Sequence, residues 1–299
     1  MKVIMKKNSM SKETTPVEML SFYGGKVMLE KKKWGDSFRY KRIWGDKKDS
    51  ILFATSITKN LDKSRALLPW AIQLVGSHIT SSVEGKTTLH KEEIIMLVQE
   101  AMLKPEEAKV KGGGTGTIIH DFAHDFALSV IDPKKHKTPT LDHLKEEDDE
   151  DRKALNGINA FLDWYNSNKV EFLAMEEVVY YNSLLAGDTK EGEHVIEFGG
   201  IMDLLARVNG KIGVWDYKTG KAIYSDQRYQ NSGYTKAYNQ NPKWGSAVCG
   251  GILNFGKETG DLVKGEYSLE EIYRDYEFGF KGLYLATVRE NELEEETML

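Results

Sequence analysis

Only one cysteine, Cys249, occurs among the 299 residues, which excludes an internal disulfide and any multi-cysteine zinc or iron–sulfur site. A reducing, cytoplasmic-type compartment is the expectation that follows. No stretch approaches the ~20 apolar residues of a membrane span, so no membrane partner is expected. The opening residues, MKVIMKKNSMSKETTP, are polar and lack the apolar segment of a signal peptide. No Gly-x-x-x-x-Gly-Lys-Ser/Thr occurs, so no nucleotide-driven motor is expected. A net charge of -5 argues against a protein that coats nucleic acid by bulk attraction. What is present is a 40% apolar, 10% aromatic chain, enough for a core in one large or two small domains and too rich for a disordered one.

The charges are uneven. Lys26 to Lys48 holds nine Lys/Arg against three acids, interleaved with Trp34, Phe38, Tyr40 and Trp44. Lys31, Lys32, Lys33, Arg39, Lys41 and Arg42 are therefore candidates to grip phosphate beside rings that stack bases. A solvated β-ribbon with lysines on its edges is an equal reading. Asp142 to Asp151 carries seven acids against one lysine and reads as a solvated loop, or as a brake on nonspecific DNA binding.

Along the chain, residues 1–18 read as a flexible basic arm. Residues 19–53 read as short strands between turn signals. Helical spacing follows to residue 103, with Leu61, Leu67, Leu68, Trp70, Leu74 and then Ile94, Leu97, Val98. Gly112-Gly113-Gly114 is expected to break the helix and act as a hinge, a phosphate cradle being the less favoured reading. A new helix then places His120 near its start. Residues 132–151 read as an acidic loop and 152–166 as a helix. The period changes at Val170, with strands at 170–181, 195–209 (a bulge at Gly199-Gly200) and 211–219. Asn209-Gly210 is a two-residue hairpin turn. A helix at 225–239, a strand at 247–255, a short helix at 269–273 and a strand at 276–288 complete the pattern.

The chemistry concentrates between Gly199 and Tyr234. Asp216 and Lys218 are two apart on one strand and share a face. Asp203 lies six residues before the Asn209-Gly210 turn and Asp216 six after, so an antiparallel hairpin brings the carboxylates together. Two nearby carboxylates repel unless a positive charge sits between them. Oxygen ligands favour Mg²⁺ or Mn²⁺, and Lys218 beside such a site can orient or deprotonate water, which is equipment for phosphodiester hydrolysis. Gln230 and Tyr234 share a helix face. A solvated Asp-Lys pair and a tyrosine packed on the sheet are the bland alternatives.

The ordered motifs Gly116-x-x-x-His120, Gly200-x-x-Asp203, Asp216-Tyr217-Lys218-Thr219 and Gln230-x-x-x-Tyr234 resemble the RecB-like branch of the PD-(D/E)XK nucleases. The resemblance implies an α/β, restriction-endonuclease-like core with a central mixed sheet flanked by helices. It implies metal binding by His120, Asp203, Asp216 and the Tyr217 carbonyl, with Lys218 as the catalytic lysine and Gln230 and Tyr234 in support. Glu176 matches an acidic strand position, with Glu177 as the alternative; His124 competes with His120. Thr55-Ser56-Ile57-Thr58 and Leu68-Pro69-Trp70-Ala71 are similar to the N-terminal helical part of phage and mitochondrial genome-maintenance exonucleases of this branch. The cysteines of its iron–sulfur members are missing.

The expectation is thus a Mg²⁺- or Mn²⁺-dependent DNA exonuclease acting on ends or single strands, bacterial or phage-encoded, in recombination, repair or DNA turnover. A helicase, polymerase or single-strand-binding protein is the implied partner. The rivals are an endonuclease of the same fold and a non-catalytic DNA-binding module. The expected organisation is an arm at 1–18, a β/helical extension at 19–111 and a nuclease core at 112–299 containing the loop 132–151.

Overall fold

The computed structural model describes residues 17–34, 37–61 and 63–297. The basic arm expected over 1–18 falls outside them except for its last two residues. The chain forms two compact units that divide between Leu52 and Phe53. The first is a four-stranded antiparallel meander, β1 (Val17–Phe22), β2 (Val27–Trp34), β3 (Ser37–Trp44) and β4 (Lys47–Ser50), in sequential order. Val27 and Leu29 are buried on it, and alternation sends neighbouring side chains to the other face.

The second unit is an α/β/α sandwich. Its sheet runs in the order β5 (Val170–Asn182), β6 (Glu197–Val208), β7 (Lys211–Lys218), β8 (Cys249–Phe255), β9 (Leu262–Ser268), and only the β7–β8 pair is parallel. That parallel pair needs a crossover, which α5 (Ser225–Tyr238) supplies. One face carries α3 (Lys91–Ile131) and α4 (Asp149–Ser167), where Ile119, Phe122, Ile158 and Phe161 pack on Leu204, Trp215, Tyr217 and Phe255. The opposite face carries α5, where Asn231 donates to the carbonyls of Val214 (3.1 Å) and Gly251 (3.4 Å). Short α1 (Ala54–Lys59) and α6 (Leu269–Asp275), α2 (Ser64–Val83) and α7 (Lys281–Thr297) complete the unit. Among the described residues, no helix is long and apolar enough to cross a membrane.

Three local expectations are corrected. The glycine run does not break a helix: α3 is continuous for 41 residues, and His120 lies deep inside it. Tertiary contacts override propensity here, since Lys257 donates to the Gly112 carbonyl at 3.0 Å and Gly116 sits against Thr219. Inside a helix the amides are committed to carbonyls four residues back, so the phosphate cradle is excluded as well. The strand expected at 276–288 is a π-turn (Tyr276–Phe280) leading into α7, because Tyr276, Phe280, Tyr284 and Thr287 recur at helical spacing and are buried. The bulge falls in β5, between Phe172 and Ala174, rather than at Gly199-Gly200. The acidic run has a structural use at its end: Asp148 caps α4 through the amides of Glu150 and Asp151, and Asp149, Glu150 and Asp151 occupy the first turn, where the helix dipole favours negative charge.

What holds α5 against its surroundings matters for the site. Lys236, near its end, pairs with Asp188 at 2.8 Å, with its ammonium 5.2–5.6 Å from the ring centres of Tyr181, Tyr273 and Tyr276. Burial opposes ionisation of Asp188, but Lys236 and the Tyr181 hydroxyl outweigh it and hold the carboxyl below its usual range. A carboxyl depressed in the folded state stabilises above its unfolded value and loses that contribution as pH falls through the folded value. Asp188→Asn should therefore be less stable than the parent in urea at pH 7, and the difference should shrink progressively as pH falls below about 4.

Gly113 and Gly114 have open space where a Cβ would stand. Gly113→Ala should raise stability by about 1 kcal/mol, read as a higher midpoint in thermal unfolding, because alanine costs α3 less backbone entropy.

Candidate active site

The β6–β7 hairpin is the foundation of the site. Asn209 and Gly210 both have positive φ, 50° and 89°, as a two-residue turn of this type requires. The register that follows pairs Val208 with Lys211 and Leu204 with Trp215. Continuing it by one step sets Asp203 opposite Asp216, as the spacing predicts. Asp203 accepts a hydrogen bond from the Tyr217 amide at 2.8 Å. Lys218 forms an ion pair with Asp216 and donates to the Tyr217 carbonyl at 3.1 Å.

Electrostatics follow from burial. Burial, with Asp203 adding to it, pushes the Asp216 carboxyl up to about 7, against the pull of the Lys218 ammonium. Asp203 is pushed up by burial, with a smaller push from Glu176 and an opposing pull from Lys218. Burial disfavours the charged form of Lys218, but Asp216 and Asp203 outweigh it and hold the ammonium above its usual value. One cation thus serves two carboxylates. His120 reaches the same cluster from α3: its ring packs edge-on to Tyr217, with centres 5.7 Å apart, and bonds the Tyr217 backbone. Burial, helped by Lys218, holds its pKa below the ordinary histidine value, so the imidazole is neutral at pH 7.

Glu176 is placed near the carboxylates by β5, where its positive φ of 47° marks an irregularity between the pairs Met175–Leu204 and Glu177–Met202. Its side chain is exposed and lies 3.9 Å from His124, whose other ring nitrogen faces Asp125. Glu177 is engaged with Lys243 instead. Geometry therefore associates Glu176, rather than Glu177, with Asp203, and His120, rather than His124, with Asp216 and Lys218.

Gln230 and Tyr234 meet on α5, with the Gln230 amide 2.7 Å from the Tyr234 hydroxyl. Both also bond Thr55 of α1, at 3.0 and 3.2 Å. Burial, followed by the charge of Asp216, keeps the Tyr234 phenol protonated far above its usual range. Thr55 has no role assignable from sequence, because nothing in its own segment signals a bond to a residue 179 positions away. The motif glycines interlock the parts. A Cβ on Gly116 would stand 2.8 Å from Thr219 Oγ1, and one on Gly200 would stand 2.5 Å from the Tyr234 ring.

The six basic candidates lie on the first unit, in β2 and β3. The pairs Lys31–Tyr40, Lys33–Phe38 and Leu29–Arg42 put Lys31, Lys33 and Arg42 on one face, and Lys32–Arg39 and Glu30–Lys41 put the others on the opposite face. Lys31 is paired with Glu18 at 3.1 Å and lies over Phe38; Arg42 is paired with Asp49 at 2.9 Å.

Two carboxylates, a carbonyl and a neutral imidazole are a donor set that fits a hard divalent cation. The unbalanced negative charge, expressed in the raised Asp216 carboxyl, points the same way. Among the described residues, no three His, Cys, Asp or Glu side chains are gathered as a ready cage. The Tyr217 carbonyl lies beside these carboxylates and accepts from the Lys218 ammonium at 3.1 Å.

A family model described as the PD-(D/E)XK nuclease superfamily matches residues 96–277, more than half of the chain. All of the motif residues from His120 to Tyr234 fall inside it, whereas Thr55 and the first unit do not. No curated protein matches the chain. Among solved structures, one described as "Crystal structure of SSO0001" aligns at 16% identity with a TM-score of 0.25. That alignment covers 41% of this chain and 55% of the other, a likeness too low to bear on fold or function.

Gly200→Ala should lower stability by about 1–3 kcal/mol, read as a reduced midpoint in thermal unfolding, because the buried Tyr234 ring has no room to move. The opposite sign at Gly113 makes the pair a test of the packing described.

Proposed function

The chain belongs to the PD-(D/E)XK nuclease superfamily, and on that premise we propose that it is a divalent-metal-dependent DNA exonuclease. The observation that carries the reading is the register that sets Asp203 against Asp216 with Lys218 between strand and solvent. Asp203, Asp216, the Tyr217 carbonyl and neutral His120 would hold Mg²⁺ or Mn²⁺. When bound, the cation supplies Lewis-acid stabilisation of charge on the phosphate.

Lys218 stays protonated beside two carboxylates, which makes it an orienting and charge-stabilising group rather than a base. Its ammonium holds the attacking water and offsets negative charge developing on the phosphate oxygens. Gln230 and Tyr234 are positioning residues; with Thr55 they tie α1 to α5 beside the carboxylates. Glu176 adds negative charge at the exposed rim. The exonuclease assignment rests on the resemblance of the Thr55–Thr58 and Leu68–Ala71 segments to phage and mitochondrial exonucleases, supported by the bonds from Thr55 to the Gln-x-x-x-Tyr pair. The lack of a motor motif makes a helicase, polymerase or single-strand-binding partner part of the proposal, within DNA recombination, repair or turnover.

End-labelled linear DNA, single- and double-stranded, digested beside a covalently closed circle tests this. Linear DNA should be degraded with Mg²⁺ or Mn²⁺, the circle should survive, and EDTA should stop the reaction. Lys218→Ala should slow it at least about 100-fold, the scale of losing one transition-state donor. Cutting of the circle would make the protein an endonuclease. Binding without cleavage of any substrate, RNA included, would leave only the non-catalytic reading.

A further inference from the structure

The first unit carries charge of the opposite sign to the rest of the chain. Residues 1–52 hold thirteen Lys/Arg against six Asp/Glu, and the residues after them hold twenty-eight against forty. Strand register decides where the described cations of the first unit stand, because residues directly opposite on paired strands share a face.

On one face the cations are matched. β1 sets Glu18 opposite Lys31 and β4 sets Asp49 opposite Arg42, and both ion pairs form, at 3.1 and 2.9 Å. The same face buries Val27 and Leu29. On the other face the edge strands supply no acid. Val17 stands opposite Lys32 and Ser50 opposite Lys41. Lys32 and Arg39 are set directly against each other across β2 and β3, an arrangement that costs a sheet stability. Glu30, opposite Lys41, is the one acid of this face among the described residues, and it is ion-paired with Lys48. Lys32, Arg39, Lys41 and Lys48 are all exposed.

Lysines that keep a sheet from pairing with another chain belong on its edge strands. Lys32, Arg39 and Lys41 stand on the two central strands, so edge protection does not account for them. Four exposed cations against one acid are complementary to a polyanion. Arg39 and Lys41 are two residues apart on β3, about 7 Å along the strand, which is the rise of two steps of duplex DNA. A single strand gains most from rings that stack its bases. The exposed rings of Phe38 and Trp44 stand on the matched face instead, beside Lys33 and Lys47. We propose that the unmatched face of the meander binds the phosphate backbone of duplex nucleic acid without reading its sequence, with Lys32, Arg39 and Lys41 on phosphates. The choice of nucleic acid as the polyanion rests on the nuclease reading.

Fluorescence anisotropy in EDTA on the full chain tests it, with two short labelled duplexes of unrelated sequence. Changing Lys32, Arg39 and Lys41 together to Gln should weaken binding to both duplexes at least about tenfold and flatten the salt dependence by about 0.9 in log–log slope per residue changed. Changing Lys31, Lys33 and Lys47 together to Gln removes the same charge from the matched face and should leave affinity within about twofold of the parent, since charges away from the contact are screened. Glu30→Gln, which removes the acid, should tighten binding. Thermal unfolding checks that each variant folds; should the first triple variant fail to, Lys32→Gln and Lys41→Gln singly carry the comparison. Equal losses in the two triple variants make the effect one of bulk charge and overturn the proposal, as does a loss confined to one duplex. Unchanged duplex binding with lost attachment to phosphatidylserine vesicles assigns the face to a lipid surface and overturns it too. If the first triple variant binds like the parent while the parent cleaves DNA with Mg²⁺, the face is wrong and the nuclease reading stands. If it loses binding and the parent cleaves nothing, the face stands and the nuclease reading falls.

Discussion

The Asn209-Gly210 turn fixes which residue of β6 meets which residue of β7, and a slip of one position would carry Asp203 to the opposite face of the sheet. The arrangement of the two carboxylates and the lysine follows from that pairing. Burial raises the cost of ionising both carboxylates, and Asp203 raises it further for the facing Asp216. Because Lys218 follows Asp216 by two residues, its ammonium is delivered to the same spot and is held charged there. The hairpin is thus a device for concentrating negative charge against one lysine, and the remaining imbalance is what a divalent cation answers.

The helices act on this hairpin from both faces of the sheet. On one face α3 brings His120 to the Tyr217 backbone, and Gly116 lets the helix approach Thr219 closely enough to do so. On the other, α5 lies over β5 to β8 and is anchored by Asn231 on the sheet carbonyls and by Lys236 in its ring of tyrosines. Gly200 lets the Tyr234 ring lie close against β6. Two glycines that look like punctuation in the sequence are contact points between layers, where a methyl group would push a helix off the sheet.

The long helix α3 shows the limit of local reading. Three successive glycines carry a propensity cost of about 1 kcal/mol each relative to alanine, which favours a break. Lys257 and Thr219 hold the flanks of the run from outside the helix, and the helix continues through it. The same limit explains the strand expected over 276–288. Its aromatic and β-branched content reads as extended, but the period of its buried residues is helical, and Tyr276 and Phe280 pack on Tyr181 and Phe198.

The sequence by itself determined the sheet strands from Val170 to Phe255, the hairpin between them and the facing of Asp203, Asp216 and Lys218. These are set by period-two alternation, by turn chemistry and by counting from the turn, all of which are local. The tertiary structure alone decided that Thr55 bonds Gln230 and Tyr234, that Glu176 rather than Glu177 lies toward Asp203, and that α3 runs unbroken past Lys257. Each of these joins residues distant in the chain or turns on a single irregular backbone angle, and neither kind of information is carried by composition or spacing within one segment.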